Sequence, residues 1–69
     1  MELSARNQLR GTIVSIQLGG VMAEVVIDIG NGQQITSVIT RGSVENLGLR
    51  EGMPVVAIIK STEVLIGKE

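Results

Sequence analysis

The sequence predicts an all-β fold, a small five-stranded barrel with one short helix between strands 3 and 4. Three observations predict it. Apolar and polar residues alternate over several short stretches, those stretches are rich in Val, Ile and Thr, and glycines or an Asn-Gly step separate them.

The first strand is expected over "LRGTIVSIQL", Leu9 to Leu18, which is β-branched and half alternating and is broken by Gly19-Gly20. The second, Val21 to Ile29, alternates well. Glu24 and Asp28 share one face, and Val21, Ala23, Val25, Ile27 and Ile29 share the other. Met22 and Val26 make the polar face more apolar than solvent requires, so part of it is expected to meet another subunit. "GNGQ", Gly30 to Gln33, holds the Asn-Gly pair that tolerates positive φ at both central turn positions, and predicts a hairpin into a third strand, Gln34 to Thr40.

"GSVENLGLREG" predicts a helix of about two turns. Ser43 is its expected N-cap, Val44 and Leu47 lie on one face, and Gly48 supplies the left-handed cap. Met53 to Ser61 is apolar on both faces, as a central strand would be, with Pro54 fitting only near its beginning. "EVLIG", Glu63 to Gly67, is the expected fifth strand. Three strands, a helix and two strands is the element order of the oligonucleotide/oligosaccharide-binding (OB) barrel.

Sixty-nine residues make a single domain, 1–69 with a core of about 3–67, near the lower size limit for folding on one core. With no cysteine there is no disulfide staple, and with no histidine either, the usual soft and borderline metal ligands are missing; no directly coordinated metal is expected. A chain this small that is nonetheless 43% hydrophobic is expected to find its missing burial in a partner copy, as a homo-oligomer. Charge is −1 and scattered, and no stretch approaches a membrane span or a secretory leader, so a cytoplasmic protein with no membrane partner is expected.

Enzyme readings find little to work with. Without His, Cys or Tyr, acid–base chemistry falls to carboxylates or lysine. Glu24 and Asp28 read more simply as solvated strand residues, and Lys60 and Ser61, being adjacent on a strand, point to opposite faces. Nucleic-acid binding suits the topology, but this chain has no aromatic residue for base stacking and is slightly acidic. A barrel that binds a protein partner, with no ligand of its own, is the alternative from another class.

A small anion suits the polar inventory. Ser4, Arg6, Asn7 and Gln8 cluster near one end of the chain and Lys60, Ser61 and Thr62 near the other, and in this barrel order the two can meet. Two cations with hydroxyls and backbone N–H groups make a pocket for a compact dianion. The plainer reading of Arg6 and Lys60 is ordinary surface charge, and of Gly19 and Gly20 turn duty.

"SARNQLRG", "ITRGSVENLGLREG" and "AIIKSTEV", at these intervals, resemble the molbindin or Mop domain over nearly the whole chain, from about Leu3 to Gly67. That family comprises cytoplasmic molybdate- and tungstate-binding proteins. The resemblance implies the same barrel, a homohexamer built as a trimer of dimers, no enzymatic activity, no cofactor, and oxyanion sites between subunits for storage or buffering. One class of site then maps onto Ser4, Arg6, Lys60 and Ser61, with Thr40 as a further contact. A second class, leaning on backbone N–H groups, falls around Gly20, Val21 and Ser43. Molybdate and tungstate at neutral pH offer acceptors only, which matches a donor-only pocket. Monohydrogen phosphate carries a proton that wants an acceptor, and sulfate is smaller.

Overall fold

The computed structural model describes residues 1–69. The chain forms β1 (Asn7–Leu18), β2 (Met22–Gly30), β3 (Gln33–Thr40), helix α1 (Arg41–Leu47) and β4 (Pro54–Ile59), followed by a single 3₁₀ turn at Ser61–Glu63. The four strands make one curled antiparallel sheet in the order β3-β2-β1-β4. The all-β class and the helix after the third strand agree with expectation, but the strand count is four. Glu63 to Gly67 is not a strand: beyond the 3₁₀ turn, no backbone group from Leu65 onward hydrogen-bonds within the chain. An extended segment becomes a strand only where a sheet edge pairs with it.

Long β1 organises the sheet. Its first half, Asn7 to Thr12, pairs with β4, and its second half, Thr12 to Leu18, pairs with β2. The handover falls at Thr12, directly after Gly11. A Cβ at Gly11 would collide with the Asp28 carbonyl oxygen and stand 2.6 Å from Ile27 Cγ2. Only glycine lets the two backbones approach this closely. Directly beyond, the pairing slips between Ile13 and Ser15, a bulge at Val14 that changes the phase of the strand. Ile13 and Ile16 thus both serve the core, which is why the sequence of β1 alternates only in part.

Strand β2 follows its pattern: Ala23, Val25 and Ile27 are buried, and Glu24 and Asp28 are exposed. Asn31 and Gly32, with φ of 56° and 74°, form the two-residue turn into β3. The helix begins earlier than its expected cap. Thr40, not Ser43, is the N-cap, because the Thr40 hydroxyl accepts the Ser43 N–H at 3.0 Å and so places Ser43 at the third helical position. Gly48 closes the helix in the left-handed conformation, as expected. Val44 is buried, whereas Leu47 is 65% exposed.

Strand β4 starts at Pro54, as its missing N–H requires, but it is an edge strand of the sheet and not a central one. Its second apolar face is only partly covered within the chain: Val56 is half-buried and Ile58 is 46% exposed. The core is small: Ile13, Ala23, Val25, Ile27, Val44 and Ala57 are the only buried residues. No helix is long and apolar enough to cross a membrane.

Candidate functional site

The antiparallel pairing of β1 with β4 sets Asn7 opposite Ile59. One step outward, the same register brings Arg6 toward Lys60, and the two distant polar clusters of the sequence come together at one end of the sheet. A hydrogen bond spans them, from Asn7 Nδ2 to Ser61 Oγ at 3.5 Å. Gln8 Nε2 donates to the Ala5 carbonyl at 2.7 Å and folds the segment before β1 back on itself. Ser4, Arg6, Lys60 and Ser61 are all exposed. Neither Arg6 nor Lys60 has a carboxylate within ion-pair distance, since the chain's one ion pair lies elsewhere. Both cations are free to receive an anion.

Thr40 stands apart from this group. It pairs with Met22, next to the β1–β2 turn, and so lies at the opposite end of β1. The strand is 12 residues long, which at about 3.3 Å per step sets its two ends roughly 36 Å apart. The residues expected for a second site are found here with Thr40. The Thr40 and Ser43 hydroxyls are 2.8 Å apart, and the Val21 carbonyl accepts the Arg41 N–H at 2.8 Å. The amides of Gly20 and Val21 donate to nothing within the chain. That of Ser43 is already used by Thr40, which leaves its hydroxyl as the group it can offer.

Two residues at these ends were not singled out as site residues. Asn7 fastens Ser61 to the start of β1, and only its place inside "SARNQ" hinted at it. Arg41 reaches across to the Gly19 carbonyl at 3.2 Å and pairs with Glu45 at 3.3 Å, so it pins the β1–β2 turn to the helix. The four-residue spacing of Arg41 and Glu45 is a helical pairing signal that the sequence carried.

The arrangement supplies hydrogen-bond donors and positive charge without a nucleophile–base pair. Of the chain's groups, no cluster of three carboxylates is placed to hold a metal cation.

The chain is similar over nearly its whole length to known proteins. "Molybdenum-pterin-binding protein 2" of Clostridium pasteurianum is 52% identical over 66 residues, spanning 96% of this chain and 97% of that one. Among solved structures, MopII from Clostridium pasteurianum superposes with a TM-score of 0.92 at 49% identity, covering 97% of this chain and all of that chain. A molybdate-binding protein from Sporomusa ovata gives a TM-score of 0.91 at 40% identity, over 99% of this chain and all of that one. The TOBE domain matches residues 3–66. With nearly every residue inside that match and about half of them shared with small Mop proteins, the chain belongs to the TOBE domain family.

Proposed function

We propose that the protein binds molybdate, without catalysing a reaction, at sites that form between copies of the chain. The observation that carries this reading is the Asn7–Ser61 hydrogen bond at the end of the β1–β4 register, which brings the segment holding Ser4 and Arg6 to the same end of the sheet as Lys60, with neither cation in an ion pair. Full-length similarity to a molybdenum-pterin-binding protein and to a molybdate-binding protein supports it. A proton-free tetrahedral dianion accepts from every donor of such a cluster and leaves none of its own to satisfy. Tungstate has the same shape and charge and is bound alike.

The pterin in the relative's name is a poorer fit. A flat bicyclic ring is held by stacking, and this chain has no Phe, Tyr or Trp. The oxyanion is the ligand the residues suit.

Thr40 belongs to the same reading only through a second copy, since one chain keeps it at the far end of β1 from Arg6 and Lys60. The reading therefore includes a homo-oligomer, a hexamer arranged as a trimer of dimers, with a second set of sites around Gly20, Val21 and Ser43, and a storage or buffering role in the cytoplasm.

Thermal melting in molybdate, tungstate, sulfate and phosphate tests the function. Ligands that bind only the native state raise its stability. Molybdate and tungstate are expected to raise the melting temperature, and sulfate and phosphate to leave it unchanged. A melting temperature that ignores millimolar molybdate overturns the reading in favour of a protein-interaction module.

A further inference from the structure

We infer that Arg41 is a positioning residue for the second set of oxyanion sites: by holding the Gly19 carbonyl it sets the direction in which the Gly20 N–H points. This role rests on the reading that an anion is bound around Gly20, Val21 and Ser43. Arg41 itself touches no ligand. It decides whether the β1–β2 turn offers an anion a donor or an acceptor.

The turn has little packing to hold it. Gly19 and Gly20 in succession leave the backbone more freedom than any other pair of residues. Val21 is 75% exposed, and nothing lies within 4 Å of the place a Cβ would occupy on Gly20. Hydrogen bonds do the fastening instead. The Gly19 N–H closes the turn onto the Met22 carbonyl at 2.7 Å, and the Arg41 N–H donates to the Val21 carbonyl at 2.8 Å. Arg41 Nη1 donates to the Gly19 carbonyl at 3.2 Å. Any residue but proline at position 41 could make the backbone contact; the one to Gly19 needs the guanidinium.

A trans peptide carries its C=O and N–H on opposite sides of one plane. With the Gly19 oxygen drawn to Arg41, the Gly20 N–H faces away from it, and that N–H has no partner in the chain. A half-turn of this plane asks only for changes at ψ of Gly19 and φ of Gly20, which glycine permits. It puts a carbonyl oxygen where the N–H stood, and an attraction for a dianion becomes a repulsion. Glu45 plays a different part. Its carboxylate accepts from Arg41 Nε at 3.3 Å, leaves Nη1 on Gly19, and offsets the positive charge that Arg41 brings. With both side chains well exposed, the pair adds little stability.

Titration of the full chain with molybdate, together with ¹⁵N relaxation of the ligand-free Gly20 amide, tests the role. Arg41→Leu keeps the backbone contact and removes the guanidinium. It is expected to weaken one class of site about tenfold or more, the scale of one hydrogen bond to a charged group, and to lower the Gly20 order parameter. Arg41→Lys, whose ammonium still donates to Gly19, is expected to recover part of both. Glu45→Gln is expected to bind within about twofold of the unmodified chain, with Gly20 order intact. Equal losses in Arg41→Leu and Glu45→Gln overturn the role, because they trace the effect to the ion pair. Tighter binding in Glu45→Gln overturns it too, because Arg41 then acts on the anion by charge. So does a Gly20 amide that stays fully ordered in Arg41→Leu. Absence of molybdate binding by the unmodified chain overturns the functional reading and this role with it; binding that Arg41→Leu leaves intact overturns this role alone.

Discussion

Asn7 donates to the Ser61 hydroxyl at 3.5 Å although the two are 54 positions apart in the chain. The contact exists because β4 returns antiparallel along the first half of β1 and ends where β1 begins. It makes one surface of two sequence ends, and it sets Arg6 and Lys60 on that surface with no acidic partner. A pair of like charges so placed is mutually repulsive and gains most when an anion lies between them.

The first prediction concerns those two cations. Arg6→Ala and Lys60→Ala are each expected to lower molybdate affinity by about one to two decades, the scale of about 1.5–3 kcal/mol for a hydrogen bond to a charged group. Isothermal titration measures it. Arg6→Lys is expected to recover only part of the loss, because a point charge does not reproduce the planar fork of a guanidinium. Stability of the ligand-free protein is expected to stay the same or rise slightly. Unaltered affinity in both alanine variants would remove this cluster from the site.

Gly11 is the second. Its Cβ position is filled by Asp28 backbone and by Ile27 Cγ2, so Gly11→Ala forces β1 away from β2 where the strand changes partners. The expected loss is about 1–3 kcal/mol, the range for forcing extra atoms into a packed site. Gly20→Ala is the control, since nothing lies within 4 Å of its added carbon. Urea unfolding of the two variants is expected to show a lowered midpoint for the first and an unshifted one for the second.

Much of the fold was legible because it is written in local chemistry. The alternation of Ala23, Val25 and Ile27 against Glu24 and Asp28 fixed the faces of β2, and Asn31-Gly32 fixed the hairpin that follows. Pro54 marked the start of β4. What escaped depended on partners that a sequence does not display. The bulge at Val14 is a property of pairing, and hides Ile16 behind a broken period. Ser43 and Thr40 are both good caps by residue type, and only the geometry of the β3–helix corner selects Thr40. Residues 63–67 have the composition of a strand but pair with neither edge of the sheet in one chain. Of the site, the joining of the "SARNQ" and Lys60-Ser61 clusters was readable from topology, whereas the separation of Thr40 from them was not.

Thr40 carries a third prediction, because it has two roles that substitutions can separate. As N-cap it accepts the Ser43 N–H at 3.0 Å. Thr40→Ala is expected to cost about 1 kcal/mol of ligand-free stability through loss of that cap. Thr40→Asp keeps an acceptor at the cap and places negative charge near the helix start, so ligand-free stability is expected to be retained. The same carboxylate repels a dianion at the proposed contact, and the melting shift produced by molybdate is expected to shrink in Thr40→Asp. A full molybdate shift in that variant would take Thr40 out of the site while leaving its structural role intact.

The fourth prediction asks whether Arg6 and Thr40 act on one ligand from different copies. In a single chain they sit at opposite ends of β1, so a site containing both must draw them from two chains. Arg6→Ala supplies an intact Thr40, and Thr40→Asp supplies an intact Arg6. Each variant alone assembles only defective sites. Unfolded together in equal amounts and refolded, they form mixed oligomers, and about a quarter of the two-copy sites then receive Arg6 from one variant and Thr40 from the other. Titration with molybdate is expected to reveal that fraction as high-affinity binding absent from either parent. A ligand held by residues of one chain alone gains nothing from mixing, because no chain in the mixture carries both groups. Recovery of tight binding on mixing therefore reports a shared site, and a mixture that binds only as the average of its parents rules one out.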